Sequence, residues 1–334
     1  MHIPRNQTLA EALYIDIDKN EYLNEIYDAL LHNYSIKIFN SQKQHKEVNI
    51  KDALRFADLL AKSSIPEKRD RHRLWGQELV ILLSIVYPEN SSVKYYLGSI
   101  LSTVGNYRGL QSTYRDGFQT SDVFDGLYFE YDKSILQIPG HEESYFFHDQ
   151  KDVYEGLSSK YFSYSGPTSM GKSFVVQTFI KQQIENGSTS NYAILVPTKA
   201  LINEIRSNII GSLQGKLKDT NYRVVSASGD IVLQQEHNFI FVMTPERLLH
   251  MMIGMPKIKI DFLFVDEAHK ISDRGGRSAY YYKVVAHLSK LEEMPTVIFA
   301  SPNIPNPEVY LSLIPKIQMD QVKKLASKYT PVSQ

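Results

Sequence analysis

Eight residues, Gly166-Pro-Thr-Ser-Met-Gly171-Lys172-Ser173, fit the spacing G-x-x-x-x-G-K-[ST]. A run of apolar residues precedes them and a helical pattern follows. That context suits a phosphate cradle. Loop N–H groups, from Gly166 through Thr168, Ser169, Met170 and Gly171, would turn toward the phosphates, and the helix start would add a favourable dipole. Gly171 lets the backbone approach where a Cβ would obstruct. Lys172 would set its ammonium against the β- and γ-phosphates, and Ser173 would offer its hydroxyl to Mg²⁺. The competing reading is a chance match in a turn.

A second constellation lies 94 residues beyond Lys172: Asp266-Glu267-Ala268-His269, after the apolar run Phe262–Val265. An aspartate at the end of an apolar strand, downstream of a phosphate cradle, is placed for a second Mg²⁺ contact. Glu267 beside it can polarise a water as general base. The pair therefore favours ATP hydrolysis over phosphoryl transfer to a substrate. Taken alone, the four residues could be a solvated helix start, since acidic side chains favour helix N-termini.

These residues need a sheet to hold them. From about residue 150 the pattern alternates: strands are expected at 161–167, 192–198, 222–228, 239–245, 261–267 and 296–301, with helices at 172–186, 199–213 and 278–291. Near-continuous apolar strands between helices indicate a parallel sheet covered on both faces, an α/β domain. The first 120 residues read instead as helices joined by short polar connections, an all-α N-terminal domain. Residues 121–149 are acidic and aromatic, either short strands or a linker. The expected division is 1–120 helical, 121–149 connecting, 150–310 ATP-binding, and 311–334 short helices and a tail.

Composition narrows the class. The chain has 334 residues, 43% hydrophobic and 22% charged, enough to bury a core in two domains. It has no cysteine, which excludes a disulfide scaffold, a thiolate zinc site and a cysteine nucleophile. Apolar runs such as 79–87 fall short of the ~20 residues of a membrane span, and the N-terminus shows no secretory pattern. A cytoplasmic protein is expected. The formal net charge is zero, but residues 1–150 sum to −5 and residues 151–334 to +5. Any nucleic-acid surface belongs to the second half.

With these residues in order, the second half resembles the first RecA-like domain of a superfamily 2 helicase, of the superkiller-type DExH branch. The resemblance covers about residues 145–310. Besides the two motifs above, VPTKAL (196–201) is similar to motif Ia, TPERL (244–248) to motif Ib and ASPNIPN (300–306) to motif III. It implies ATP and Mg²⁺ as cofactors. It implies that Gln150, 22 residues before Lys172, reads the adenine edge. Pro197, Thr198, Thr244 and Arg247 would face the sugar-phosphate backbone of a strand. His269 and Ser301 would couple hydrolysis to movement. The style of the chain also resembles bacterial antiphage helicase subunits of the Hachiman type.

Two features set the chain apart from the pattern. Pro302 stands where the family has alanine in Ser-Ala-Thr, and proline removes a backbone donor. The residues after Ser301 are too few for the second RecA-like domain that the family uses to complete the site. The expectation is the N-terminal part of an ATP-dependent helicase or translocase, weak or inactive alone. Its partners would be single-stranded or partly duplex nucleic acid, a second RecA-like domain in the same or another chain, and a protein on the helical domain, with no membrane. The alternative is a nucleotide-dependent interaction module, without unwinding, in a larger complex.

Overall fold

The computed structural model describes residues 13–114, 118, 120, 123–227, 237–273 and 278–327. They fall into two compact units, divided between His148 and Asp149.

The first unit is helical: α1 (Glu21–Phe39), α2 (Ile50–Ala61), α3 (Arg69–Val86), α4 (Ser91–Thr103), α5 (Tyr107–Thr113) and α6 (Val123–Leu136). Asparagine starts four of these helices. The side chains of Asn20, Asn49, Asn90 and Asn106 accept the backbone N–H of Leu23, Asp52, Val93 and Gly109. Each cap satisfies a donor that the first helical turn leaves over. The core gathers Leu23, Leu30, Leu54, Leu60, Leu79, Leu83, Val93 and Ile100. At Gly76 the α2 and α3 backbones approach closely: a Cβ there would lie 2.6 Å from the Ala57 carbonyl oxygen.

Residues 123–136 are helix, not strand or coil. Aromatic and β-branched side chains favour strands, but here tertiary anchors prevail. Phe129 and Leu136 reach the core, and buried Asp132 accepts a 2.6 Å hydrogen bond from Tyr107. The other face leaves Val123, Phe124, Leu127, Tyr128 and Tyr131 exposed. No described helix is long and apolar enough to cross a membrane.

The second unit is built on one seven-stranded sheet, order β3-β4-β2-β5-β6-β1-β7, parallel throughout. The strands are β1 (Tyr161–Ser165), β2 (Tyr192–Leu195), β3 (Tyr222–Val225), β4 (Asn238–Met243), β5 (Phe262–Val265), β6 (Thr296–Ser301) and β7 (Val322–Ala326). Among its helices are α7 (His148–Gly156), α8 (Lys172–Glu185), α9 (Lys199–Ser212), α10 (Lys216–Asp219), α11 (Pro245–Gly254) and α12 (Ser278–Leu288). The sheet and the helical N-terminal region are as the apolar patterning predicts. The region after Ser301 differs. It holds 3-10 turns at Pro307–Leu313 and Met319–Gln321, then β7, an edge strand beside β1. With Lys323 and Lys324 exposed, β7 has the charged character that protects a sheet edge. That polarity hides it from a hydrophobic-run reading.

Candidate active site

Ligands of open α/β sheets bind beyond the carboxyl ends of the strands. Here that edge carries the eight-residue loop after β1 and the Asp-Glu pair after β5, with β6 between. Thr168–Met170 form a 3-10 turn, with Thr168 and Ser169 exposed and Met170 buried. Gly171 sits at φ 75°, the left-handed region that glycine tolerates without strain, and caps α8. Gly166 has its own steric reason, because a Cβ would lie 2.4 Å from the Met170 sulfur.

The structure brings the expected catalytic residues together. Ser173 Oγ donates to Asp266 Oδ2 at 3.1 Å. The Glu267 N–H donates to Asp266 Oδ1 at 2.9 Å. Lys172 is 5% exposed, and its ammonium donates to the carbonyls of Gly166 and Pro167, each at 3.1 Å. Burial lowers the Lys172 pKa, opposed by the charges of Glu267 and Asp266. Burial, together with the Glu267 charge, raises Asp266 above the usual carboxylate range, while the Ser173 bond works to lower it. Glu267 holds a left-handed backbone, φ 52°, and its Oε2 lies 3.1 Å from His269 Nδ1. A non-glycine residue there is uncommon and marks a turn that the surrounding structure imposes. An open cleft of ≈ 600 Å³ is lined by Thr168, Lys172, Ser173, Asp266 and Glu267, and across from them by Glu204, Ser207 and Asn208 of α9.

Gln150 joins the loop directly. It is buried on α7, and its amide donates to the Met170 carbonyl at 2.7 Å. Ser301 meets the same loop from β6. Its carbonyl accepts the Gly166 N–H at 3.2 Å, and its buried Oγ lies 3.5 Å from the Tyr164 carbonyl oxygen. Ser165 Oγ donates to the Ile304 carbonyl at 2.6 Å. None of these bonds requires an N–H from position 302, so the missing donor of Pro302 costs the loop nothing here.

Pro197 and Thr198 follow β2, and Thr244 and Arg247 follow its neighbour β4. Thr198 is exposed and caps α9, accepting the Leu201 N–H at 3.3 Å. Thr244 is buried, and Arg247 donates to the Ser226 carbonyl at 2.7 Å. The aromatic segment after the acidic pair is partly described: Tyr281 is buried, Tyr282 is exposed, and Arg274 through Arg277 lie outside the described residues.

Sequence reasoning missed the α9 face of the cleft and Tyr164, a hydroxyl carried into a fully buried strand. It also missed a Ser-His-Asp relay in the helical unit. Ser63 Oγ lies 2.7 Å from His72 Nδ1, and His72 Nε2 lies 3.1 Å from Asp18 Oδ1. Ser63 and His72 are 1% and 0% exposed, so no substrate reaches them. The relay ties the α3 start to the turn at Ile17–Lys19.

Residues 147–309 match the DEAD/DEAH box helicase family. The second unit has the RecA-like helicase fold. Solved structures similar to the chain include MrfA, a DUF1998 helicase, at 19% identity and TM-score 0.45, over 59% of this chain and 32% of MrfA. A hypothetical ATP-dependent RNA helicase from Sulfolobus tokodaii is similar at 18% identity and TM-score 0.42, over 55% of this chain and 53% of its own. A DEAD box protein from Methanococcus jannaschii is similar at 18% identity and TM-score 0.41, over 55% and 48%. The chain thus spans about a third of MrfA and about half of the other two. No curated protein matches the chain.

Proposed function

We propose that this chain binds ATP at the Lys172–Asp266 cleft and hydrolyses it to drive movement along a nucleic-acid strand, as the first RecA-like motor domain of a helicase or translocase. The observation that carries this reading is the closure of Ser173 on Asp266 at 3.1 Å, with Lys172 and Glu267 lining the same cleft. The helicase family match over residues 147–309 supports it.

Each side chain then has a task. Lys172 leaves the carbonyls of Gly166 and Pro167 for the phosphates, whose charge favours its protonated form. Thr168, Ser169, Met170 and Gly171 present the loop backbone, and Gln150 braces it beside the nucleotide. Ser173 and Asp266 would hold Mg²⁺. A hydroxyl and a carboxylate oxygen side by side fit an ion that takes few protein donors and completes its shell with water and phosphate. When bound, that ion supplies charge neutralisation at the phosphate oxygens. Glu267 orients and deprotonates the attacking water, and His269 beside it couples hydrolysis to movement. Ser301 ties the phosphate loop to the end of β6 and so carries the nucleotide state toward the strand-binding edge. Pro197, Thr198, Thr244 and Arg247 form that edge on the adjacent strands β2 and β4.

We assign the chain to the superkiller-type DExH branch on its motif strings, with an antiphage setting and a cytoplasmic location as further parts of the reading. A second RecA-like domain, in the same or another chain, would complete the ATP site with arginines. The exposed apolar face of α6 supports a protein partner on the helical unit. The non-unwinding interaction module draws less support, because an intact Lys-Ser-Asp-Glu set serves hydrolysis. The test is ATP turnover with and without single-stranded DNA or RNA, measured in the presence of the second RecA-like domain that completes the site. Strand-stimulated turnover that is lost in Lys172→Ala and in Glu267→Gln is expected. Equal turnover in all three proteins contradicts the proposal.

A further inference from the structure

The described residues that line the cleft at Lys172 are glycine, polar or charged, with one exception, Phe174. Phe174 is the third residue of α8 and is 46% exposed, whereas the next two residues, Val175 and Val176, are buried. Single apolar side chains on a surface are ordinary. The place of this one sets it apart. A Cβ built on Gly171 of the phosphate loop would lie 3.8 Å from Phe174 Cβ and 3.1 Å from Gln150 Nε2. Phe174 therefore adjoins the loop at the same glycine that Gln150 reaches, and it shares the cleft with Lys172 and Ser173.

A nucleoside triphosphate brings two chemistries to such a cleft. Its phosphates suit the loop N–H groups, the Lys172 ammonium and the Ser173 hydroxyl. Its base is a flat ring whose faces are better covered than left in water. The polar lining offers no such cover, and the Phe174 ring does. Stacking on an aromatic side chain serves any base, because every base has a π-face. The ring also carries no charge. An acidic side chain, which the first turn of a helix otherwise favours, would repel the phosphates. The cleft, at ≈ 600 Å³, has the size of a small-molecule site.

We propose that Phe174 is the base platform of the nucleotide site, its ring stacking on the nucleobase of the bound triphosphate. The proposal rests on the reading of this cleft as the ATP site. A platform holds the base by its face and leaves the edge to hydrogen-bonding groups. Phe174 thus sets the preference for a nucleoside triphosphate over a bare phosphate chain.

The test is calorimetric titration of ATP and of inorganic tripolyphosphate, each in Mg²⁺, into the wild type, Phe174→Ala and Phe174→Tyr. Tripolyphosphate has the phosphate chain of ATP without the nucleoside. Phe174→Ala is expected to bind ATP about 5- to 150-fold more weakly than the wild type does, and to bind tripolyphosphate as the wild type does. Phe174→Tyr, which regains the π-face, should recover the ATP affinity. Wild-type ATP affinity in Phe174→Ala overturns the proposal. An equal loss of both ligands also overturns it, because the damage would then lie in the phosphate loop. Should Phe174→Ala not fold, Phe174→Leu, apolar but without a π-face, takes its place with the same expected and contrary results. Binding of neither ligand by the wild type would bring down the nucleotide-site reading and this proposal together. Normal wild-type binding with unaffected variants brings down this proposal only.

Discussion

At the residue scale, the chemistry of the chain depends on a few buried polar groups whose partners lie far apart in sequence. Lys172, Ser173, Asp266 and Glu267 are legible in the sequence because local motifs carry them. The contacts of Gln150 and Ser63 are not, because each partner is set by the tertiary fold. The helical unit adds two carboxylates with such partners, half-buried Asp18 and buried Asp132. Burial works to raise the pKa of Asp18 and of Asp132. For Asp18, hydrogen bonds from His72 and Lys68 outweigh burial and hold it below the usual range. For Asp132, His148 and Tyr107 do the same. A carboxylate held low in the folded state adds stability that is complete above its unfolded pKa, about 3.9, and is lost as pH falls through the folded value. The stability of the helical unit should therefore fall below about pH 4. Asp18→Asn should flatten part of that fall. The single tryptophan, Trp75, lies on α3 and reports this unit by fluorescence. The measurement is its urea midpoint against pH, and an unchanged profile in the variant would refute the assignment.

At the element scale, caps and close approaches set the helices, and apolar runs set the strands. The strands of the sheet from β1 to β6 were readable because each is a short apolar run bounded by turn residues. Helix α6 was not. Its aromatic and β-branched content reads as strand, and its helical state follows from the anchoring of Phe129, Asp132 and Leu136. Strand β7 was equally hidden, since an edge strand with two exposed lysines has no apolar run. The α2–α3 contact at Gly76 is a further feature without a local signal. Gly76→Ala would press a methyl group against the Ala57 carbonyl oxygen, a backbone atom that cannot swing away. Overpacking of this kind costs about 1–3 kcal/mol. The variant should lower the Trp75-detected urea midpoint without changing nucleotide binding. An unchanged or raised midpoint would show that the two helices separate at little cost.

At the scale of the whole molecule, the neutral net charge conceals an acidic first half and a basic second half. The basic half holds the sheet whose carboxyl edge carries the proposed phosphate loop after β1, the acidic pair after β5, and the proposed strand-binding segments after β2 and β4. Ser301 on β6 links the end of its strand to the phosphate loop. All of this depends on ATP entering the cleft at Lys172. The direct measurement is equilibrium binding of a fluorescent ATP analogue in Mg²⁺ to the wild type, Lys172→Ala and Glu267→Gln. Loss of the charged bonds of Lys172 should weaken binding about 10-fold or more, whereas Glu267→Gln, which acts on water, should bind as the wild type does. Equal binding by all three proteins, or none by the wild type, would contradict the account.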